Sequence, residues 1–152
     1  MSTAIYLPLI TRVAAEFGLD KHVLAEQAWR ESQWDPLAVN DQRHLGIMLV
    51  PPAVWAEWAP KLQVFDPFDP ESNLRVAAAY LQDLRRRLAT RLNLRGDHWL
   101  LVAYRLGFEA LREWVAAGKR WEDLPADVQD YALSILLGAE ARALATAEPV
   151  AG

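Results

Sequence analysis

The sequence predicts an all-α protein, and two observations support this prediction. Apolar residues recur every three or four positions in several segments, which is the spacing of a helix face. Residues that favour helix ends flank these segments, and no alternating apolar and polar pattern is long enough to indicate a sheet. The 152 residues contain no low-complexity linker, so we expect one domain over 1–143 and a flexible tail over 144–152.

Two helices are predicted in the first part of the chain. The first covers 5–17, and Gly18 is a suitable residue for its C-terminal cap. Asp20 is a suitable N-cap for the second helix, which is predicted over 21–33. That helix is expected to end before Pro36, because the residue preceding a proline avoids helical geometry.

The middle of the chain is punctuated by prolines. Residues 36–50 are expected to form an irregular loop with at most a small hairpin. A short helix is predicted to start at Pro51-Pro52 and to stop before Pro60. Asp69 then caps a longer helix over 70–91, which has a clear apolar stripe.

Three more helices are predicted towards the C-terminus. Asp97 begins one that extends through Tyr104, and another covers 108–117. The last is predicted over 125–143.

Composition excludes several classes of function. The net charge of −4 and the absence of cysteine argue against nucleic-acid binding and against disulfide or thiol chemistry. No stretch approaches the roughly 20 apolar residues of a membrane span. The three histidines have no metal-ligand spacing and no phosphate-binding loop occurs, so we expect neither metal nor cofactor, and a monomer. The run Arg85-Arg86-Arg87 is interpreted as a solvated helix face.

The N-terminal segment, MSTAIYLPLITR, lacks the basic region and the sustained apolar region of a signal peptide. We therefore expect export by another route, or a leader that has been removed. A phage product would fit the first case.

Glu31 lies on an apolar face of the second helix. At about 100° per residue, it shares a stripe with Leu24 and Ala28, whereas Glu26 lies on the opposite side. Burial and the negative end of the helix dipole both favour a protonated acid, as glycosidic cleavage requires. The alternative is a glutamate that forms an ion pair with an arginine such as Arg30.

The stretch Ala25–Met48 resembles the lytic transglycosylase (SLT domain) family, relatives of goose-type lysozyme. In that family a helix ends in Glu-Ser and is followed by Asn/Asp-Pro, Ala-Val and Gly-Leu-Met-Gln. The matching positions are Glu31-Ser32, Asp35-Pro36, Ala38-Val39 and Gly46-Ile47-Met48. Further matches follow in order at Phe68-Asp69-Pro70-Glu71-Ser72-Asn73-Leu74, Ala79-Tyr80-Leu81, Ala103-Tyr104 with Gly107, and Leu124-Pro125 with Tyr131.

This resemblance implies an all-α, lysozyme-like fold with a glycan-binding cleft. It implies a peptidoglycan lytic transglycosylase that acts in the cell envelope, whether periplasm, cell wall or phage virion. Glu31 would be the single acid and base that cleaves the bond between N-acetylmuramic acid (MurNAc) and N-acetylglucosamine (GlcNAc). The product would be 1,6-anhydro-MurNAc, formed without a second catalytic carboxylate.

The resemblance also implies roles for the neighbours of Glu31. Ser32 would hydrogen-bond and orient it, and Gly46, Ile47 and Met48 would line the cleft wall, with the glycine allowing a sugar to pass close to the backbone. As an alternative, Ile47 and Met48 belong to the core.

Tyr104 and Tyr131 would reach Glu31 or the substrate with their hydroxyl groups. Alternatively, Tyr104 is a core tyrosine. Asp69 and Asn73 are interpreted as a cap and a structural polar contact.

The sequence departs from the family pattern at the cleft. Leu49 stands where the family has glutamine, and Arg105 stands where it has asparagine. His44 and Leu45 replace small residues. These departures leave open a non-catalytic peptidoglycan-binding relative, such as a phage tail or envelope component. A hydrolase that uses water is a further alternative, with Asp35, Asp41 or Asp66 across the cleft from Glu31.

Overall fold

The computed structural model describes residues 3–147, and seven α-helices account for most of them. The helices are α1 (Leu7–Phe17), α2 (Lys21–Ser32), α3 (Pro52–Leu62), α4 (Pro70–Arg87), α5 (Asp97–Leu106), α6 (Phe108–Ala116) and α7 (Ala126–Thr146). Short 3₁₀ turns cover Thr3–Tyr6 and Trp121–Asp123, and α4 continues into a π-helical turn over Leu88–Leu92.

The predicted caps at the first helices are present. Gly18 ends α1 in the left-handed conformation, with φ of 67°. The Asp20 side chain accepts hydrogen bonds from the backbone N–H groups of His22 and Val23 at the start of α2. Asp69 caps α4 in the same way through Ser72. These caps place the first turns of α2 and α4 at the positions that the sequence predicted.

Two predicted helix ends are wrong. Helix α3 continues through Pro60 to Leu62, because a proline near the C-terminal end removes one backbone hydrogen bond without preventing the final turn. Gln63, in the left-handed conformation, closes that turn with hydrogen bonds to the carbonyls of Ala59 and Pro60. Helix α7 extends to Thr146 rather than to 143. Residues 148–152 of the expected tail lie outside the described residues.

The loop over 36–50 is irregular, as predicted. Two isolated antiparallel bridges, Val39 with Leu45 and Leu45 with Val50, are its only β-type pairings. No strand occurs within 3–147, so the predicted all-α class is confirmed.

Helix α7 packs against α2 and α5, and α4 packs against α1, α3 and α5. The core between them contains fully buried side chains from the helices and from the loop, including Ile10, Leu24, Ile47, Met48, Leu74, Leu84, Leu101, Leu111 and Ile135. The C-terminal ends of α2 and α5, the start of α7 and the loop therefore meet on one side of this core. None of the described helices is both long and apolar enough to cross a membrane.

Candidate active site

Glu31 lies in the last turn of α2 and lines two cavities that we call together the Glu31 cleft. One has a volume of about 320 Å³ and is lined by Arg30, Glu31, Arg105, Asp127, Asp130 and Tyr131. The other has a volume of about 220 Å³ and is lined by Glu31, Asn40, Gln42, His44, Leu49, Pro51, Tyr104 and Arg105. The carboxyl group is therefore accessible to a ligand even though it is partly buried.

Burial is the main influence on the Glu31 carboxyl group and raises its pKa above the ordinary value of 4.5. A hydrogen bond from Tyr131 and the charges of Arg105 and Arg30 oppose this effect without cancelling it. Within 3–147, no arginine or lysine nitrogen lies within 4.0 Å of the Glu31 carboxylate, so the alternative of an ion pair with Arg30 is wrong. A desolvated acid without a close cation holds its proton to higher pH.

Tyr131 touches Glu31 directly. Its hydroxyl donates a hydrogen bond to Oε1 of Glu31 at 2.5 Å, and it accepts one from Nε2 of Gln27 at 3.3 Å. Burial and the negative charge of Glu31 raise the pKa of Tyr131 well above its usual range. The hydroxyl therefore stays protonated and acts as a donor.

Tyr104 is placed beside this group but does not contact Glu31 through a hydrogen bond. Its buried hydroxyl donates to the backbone carbonyl of Met48 at 3.2 Å, and its ring lies against Tyr80 with centroids 5.7 Å apart. Burial, followed by the charge of Glu31, raises the pKa of Tyr104 well above its usual range. Tyr104 thus fixes the loop and also forms part of the cleft wall.

The expected hydrogen bond between Ser32 and Glu31 is not formed. Its hydroxyl donates to the Ile47 carbonyl at 2.6 Å and accepts from the Asp35 backbone N–H at 3.2 Å. The reason is geometric, because consecutive helical residues point about 100° apart and so face different neighbours. Ser32 therefore joins the end of α2 to the loop.

Gly46 is required for packing, which corrects the expectation that a sugar passes close to it. A Cβ atom there would lie 2.2 Å from Nδ2 of Asn73 and 2.5 Å from the Pro67 carbonyl oxygen. Its φ of 81° also favours glycine. The space beside this glycine is filled by the protein itself.

Asn73 is the structural contact that the sequence predicted. Completely buried, it accepts from the Met48 N–H at 2.9 Å and donates to the carbonyls of Leu45 at 2.8 Å and Pro67 at 2.9 Å. One side chain thus satisfies three backbone groups of two loops.

The side chains of Ile47 and Met48 are completely buried in the core, so the expectation that they line the cleft wall is wrong. The backbone carbonyls of Ile47 and Met48 accept hydrogen bonds from Ser32 and Tyr104, which fixes this turn with both side chains directed into the core. Leu49 is half-buried, lines the cleft and has a φ of 44°.

Arg105 lies at the centre of the cleft and lines both cavities. Its guanidinium lies 5.3 Å from the centre of the Tyr131 ring, and Nη2 is 3.9 Å from Oδ2 of Asp127. His44 lies near it, and burial followed by the charge of Arg105 lowers the pKa of His44. Leu49, Arg105 and His44, three of the four departures from the family pattern, therefore line the space beside Glu31.

None of the three aspartates expected as the second carboxylate of a hydrolase lines the Glu31 cleft. Asp35 and Asp66 accept hydrogen bonds from the backbone of their own loops, and Asp41 is not among the lining residues. Asp127 and Asp130 line it instead. Sequence reasoning missed them, although Asp127 lies four residues before Tyr131 on α7 and therefore on the same face of that helix.

Glu26, on the side of α2 opposite Glu31, is also partly buried. It packs against α7, where Oε2 lies 2.5 Å from Nε of Arg142, and only 19% of its side chain is exposed. Helix α7 packs over this side of α2. The distribution of apolar and polar residues around α2 did not predict this contact, because Glu26 lies on its polar side.

A cavity larger than either part of the Glu31 cleft lies away from Glu31. It has a volume of about 590 Å³ and is formed by the end of α4, the π-helical turn and the start of α5. Arg85 lines it but donates to the Gly18 carbonyl and lies 3.7 Å from Asp97, while Arg86 and Arg87 pair with Asp83. Within 3–147, no group of acidic or histidine side chains is arranged to hold a metal ion.

Comparisons with known proteins identify the family of this chain. The family model for the "Transglycosylase SLT domain" matches residues 8–124. A membrane-bound lytic murein transglycosylase F from Alcanivorax borkumensis is 28% identical over 127 residues, which is 83% of this chain and 26% of that protein. The corresponding protein of Maricaulis maris is 32% identical over 127 residues, 78% of this chain and 27% of its own length.

A solved structure has the same fold. It is an inactive glutamate-to-glutamine mutant of the lytic transglycosylase Slt from Pseudomonas aeruginosa, with a TM-score of 0.70 and 19% identity. It covers 93% of this chain and 25% of that one, and confirms the predicted lysozyme-like helical fold. The chain thus spans about a quarter of the length of the relatives that it matches. Since the family model matches most of its residues, the chain belongs to the transglycosylase SLT domain family.

Proposed function

We propose that this chain is a lytic transglycosylase domain that cleaves the β-1,4 bond between MurNAc and GlcNAc of peptidoglycan. The observation that carries the proposal is a carboxyl group, Glu31, that is desolvated and yet opens into a cleft. The relatives named as murein transglycosylases support the substrate class and an action in the cell envelope.

Glu31 would act first as an acid. Its raised pKa keeps a proton available, which it gives to the oxygen that links the two sugars as the bond to C1 of MurNAc breaks. The carboxylate that forms would then take the proton from the C6 hydroxyl of the same MurNAc. The C6 oxygen forms its bond to C1 as this proton leaves. The products are a 1,6-anhydro-MurNAc end and a GlcNAc end with a free hydroxyl.

This reaction needs only one carboxylate, because the nucleophile belongs to the substrate. Effective concentrations of well-placed internal groups are large, so an internal hydroxyl can replace an activated water. Tyr131 would stabilise the carboxylate form of Glu31 between the two proton transfers through its 2.5 Å hydrogen bond. Glu31 is in this proposal the catalytic residue, and Leu49 and Arg105 contact the substrate.

Hydrolysis is the second candidate, because Asp127 and Asp130 line the same cavity as Glu31. A second carboxylate across a cleft could activate water in an inverting hydrolase or act as a nucleophile in a retaining one. The product chemistry separates the two reactions.

Digestion of purified cell-wall sacculi, followed by mass spectrometry of the released fragments, tests the proposal. Anhydro-muropeptides are expected from the natural sequence, and at least about 100-fold fewer from a Glu31→Gln variant, which keeps the shape but has no transferable proton. Fragments with reducing ends would establish hydrolysis instead. Binding to sacculi without any release would establish a non-catalytic relative.

A further inference from the structure

Gln27 is a buried polar residue that the proposed reaction does not use. It lies one turn before Glu31 on α2 and is only 1% exposed. Burial of an amide costs free energy unless its polar atoms are paired. The contact described for its Nε2 is the Tyr131 hydroxyl at 3.3 Å.

The donor rules give this contact a direction. A side-chain amide nitrogen only donates, whereas a tyrosine hydroxyl has one proton and two lone pairs. When Nε2 donates to the Tyr131 oxygen, the hydroxyl proton must go to another acceptor, and Oε1 of Glu31 is 2.5 Å away. With the amide reversed and Glu31 ionised, the amide oxygen and the carboxylate would compete for the one proton of the hydroxyl, so the orientation in the structure is the one that suits the carboxylate form of Glu31.

We infer that Gln27 is a positioning residue that holds the Tyr131 hydroxyl as a donor to Glu31. This inference rests on the proposed function, because the hydrogen bonds from Gln27 to Tyr131 and from Tyr131 to Glu31 matter for catalysis only if Glu31 transfers protons. Such chains polarise their members, so the bond from Tyr131 to the carboxylate is stronger when Gln27 donates behind it.

These two hydrogen bonds stabilise the carboxylate form of Glu31. Burial favours the acid that protonates the sugar oxygen, and the Tyr131 hydrogen bond limits the cost of the carboxylate that remains. That carboxylate must persist until it takes the proton from the C6 hydroxyl. Other charged or titratable groups around it are Arg30 on α2, Tyr104 and Arg105 on α5, Asp127 and Asp130 on α7, and His44 on the loop.

Gln27→Leu tests the inference, because leucine has a similar volume but no donor. We expect the pKa of Glu31 to rise, since the Tyr131 hydrogen bond weakens. We also expect kcat to fall about threefold to tenfold, the effect of one neutral hydrogen bond, with KM unchanged. The alkaline limb of the pH profile of kcat should move to higher pH together with the pKa.

A double-mutant cycle with Tyr131→Phe separates positioning from a merely structural role. Gln27 acts through the Tyr131 hydroxyl, so Gln27→Leu should change the pKa of Glu31 in the natural sequence and not in the Tyr131→Phe background. ¹³C NMR titration of the Glu31 carboxyl carbon gives this pKa without turnover, so the result is informative even if sacculi yield no anhydro products. Equal titration midpoints for Gln27→Leu and the natural sequence would overturn the inference, as would a shift that persists in Tyr131→Phe.

Discussion

The hydroxyl of Ser32 lies 2.6 Å from the carbonyl oxygen of Ile47 and donates a hydrogen bond to it. This contact joins the last residue of α2, next to Glu31, to the loop that forms the opposite part of the cleft. The same serine oxygen accepts from the Asp35 N–H, so the turn after α2 is fixed as well. The position of the acid relative to the cleft wall therefore depends on a residue that does not contact the acid.

Ser32→Ala should lower both stability and activity. The buried Ile47 carbonyl would lose its partner, which costs about 1–3 kcal/mol. Urea denaturation measures the loss, and a lower kcat with an unchanged pH profile would show that the geometry and not the pKa of Glu31 is affected. Ser134→Ala is the control, because that hydroxyl bonds only within α7. Equal losses for the two variants would contradict the assigned role.

Gly46→Ala should destabilise the protein more than a surface glycine substitution does. The new Cβ would lie 2.2 Å from Nδ2 of Asn73 and 2.5 Å from the Pro67 carbonyl, and its φ of 81° is unfavourable for alanine. Gly118→Ala is the matched control, since φ there is 76° but no atom lies within 4 Å of the added Cβ.

A cycle with Asn73→Ala measures the coupling at this glycine. Asn73→Ala alone loses three hydrogen bonds to backbone groups, of which the one to the Met48 N–H is buried, and should cost about 3 kcal/mol. In the double variant the clash with Asn73 is relieved and only the one with Pro67 remains. The free energy of unfolding lost in the double variant should therefore be smaller than the sum of the losses in the two single variants. Strict additivity in urea denaturation would show that the close approach does not matter.

The sequence was sufficient for the helices because their signals are local. Gly18, Asp20 and Asp69 act on neighbouring backbone groups, and each cap lies where it was predicted. The end of α3 was not predictable from Pro60, since a proline stops a helix only where the lost hydrogen bond and the ring clash outweigh the packing of the remaining turn.

The site was predicted less completely, because most of its contacts cross the chain. The apolar stripe of α2 placed Glu31 in a partly buried position, which the structure bears out. The hydrogen bond from Tyr131, a hundred residues away, was expected only from the family resemblance. Glycine and serine in the family motif were given roles towards the sugar or the acid, whereas both serve the packing of the loop.

Replacement of Arg105 by methionine should raise the pKa of Glu31. Arg105 is the larger of two positive influences that lower this pKa, and Arg30 is the smaller. Methionine keeps the length of the side chain but removes the charge, so Glu31 should hold its proton to higher pH. We expect the alkaline limb of the pH profile of kcat to move upward for Arg105→Met, and less for Arg30→Met.

The His44 pKa provides a second measure of the same charge. Arg105 lowers it, after burial, so Arg105→Met should raise it in an NMR titration of the imidazole. A profile for Arg105→Met that matches that of the natural sequence would show that this charge does not reach Glu31.

Glu31→Gln should make the protein more stable at neutral pH while it loses cleavage by at least about 100-fold, the lower range for a general acid. The unfolded chain releases this proton near the ordinary pKa of 4.5, whereas the folded protein holds it to higher pH. The free energy of unfolding therefore falls as pH rises from about 4.5 to the raised pKa of Glu31 in the folded protein, and above that pKa the loss stays constant. Glutamine has no charge to desolvate and still accepts from Tyr131, so the gain should be present at neutral pH and vanish below 4.5.

Glu26→Gln on the same helix should have the opposite effect on stability. Glu26 pairs with Arg142, and its loss leaves that partly buried guanidinium without its partner. Urea denaturation of both variants and the natural sequence, at neutral pH and below pH 4.5, gives the comparison. If Glu31→Gln were less stable than the natural sequence at neutral pH, the charge of Glu31 would be well solvated or well paired. The desolvated acid required for glycan cleavage would then have no support.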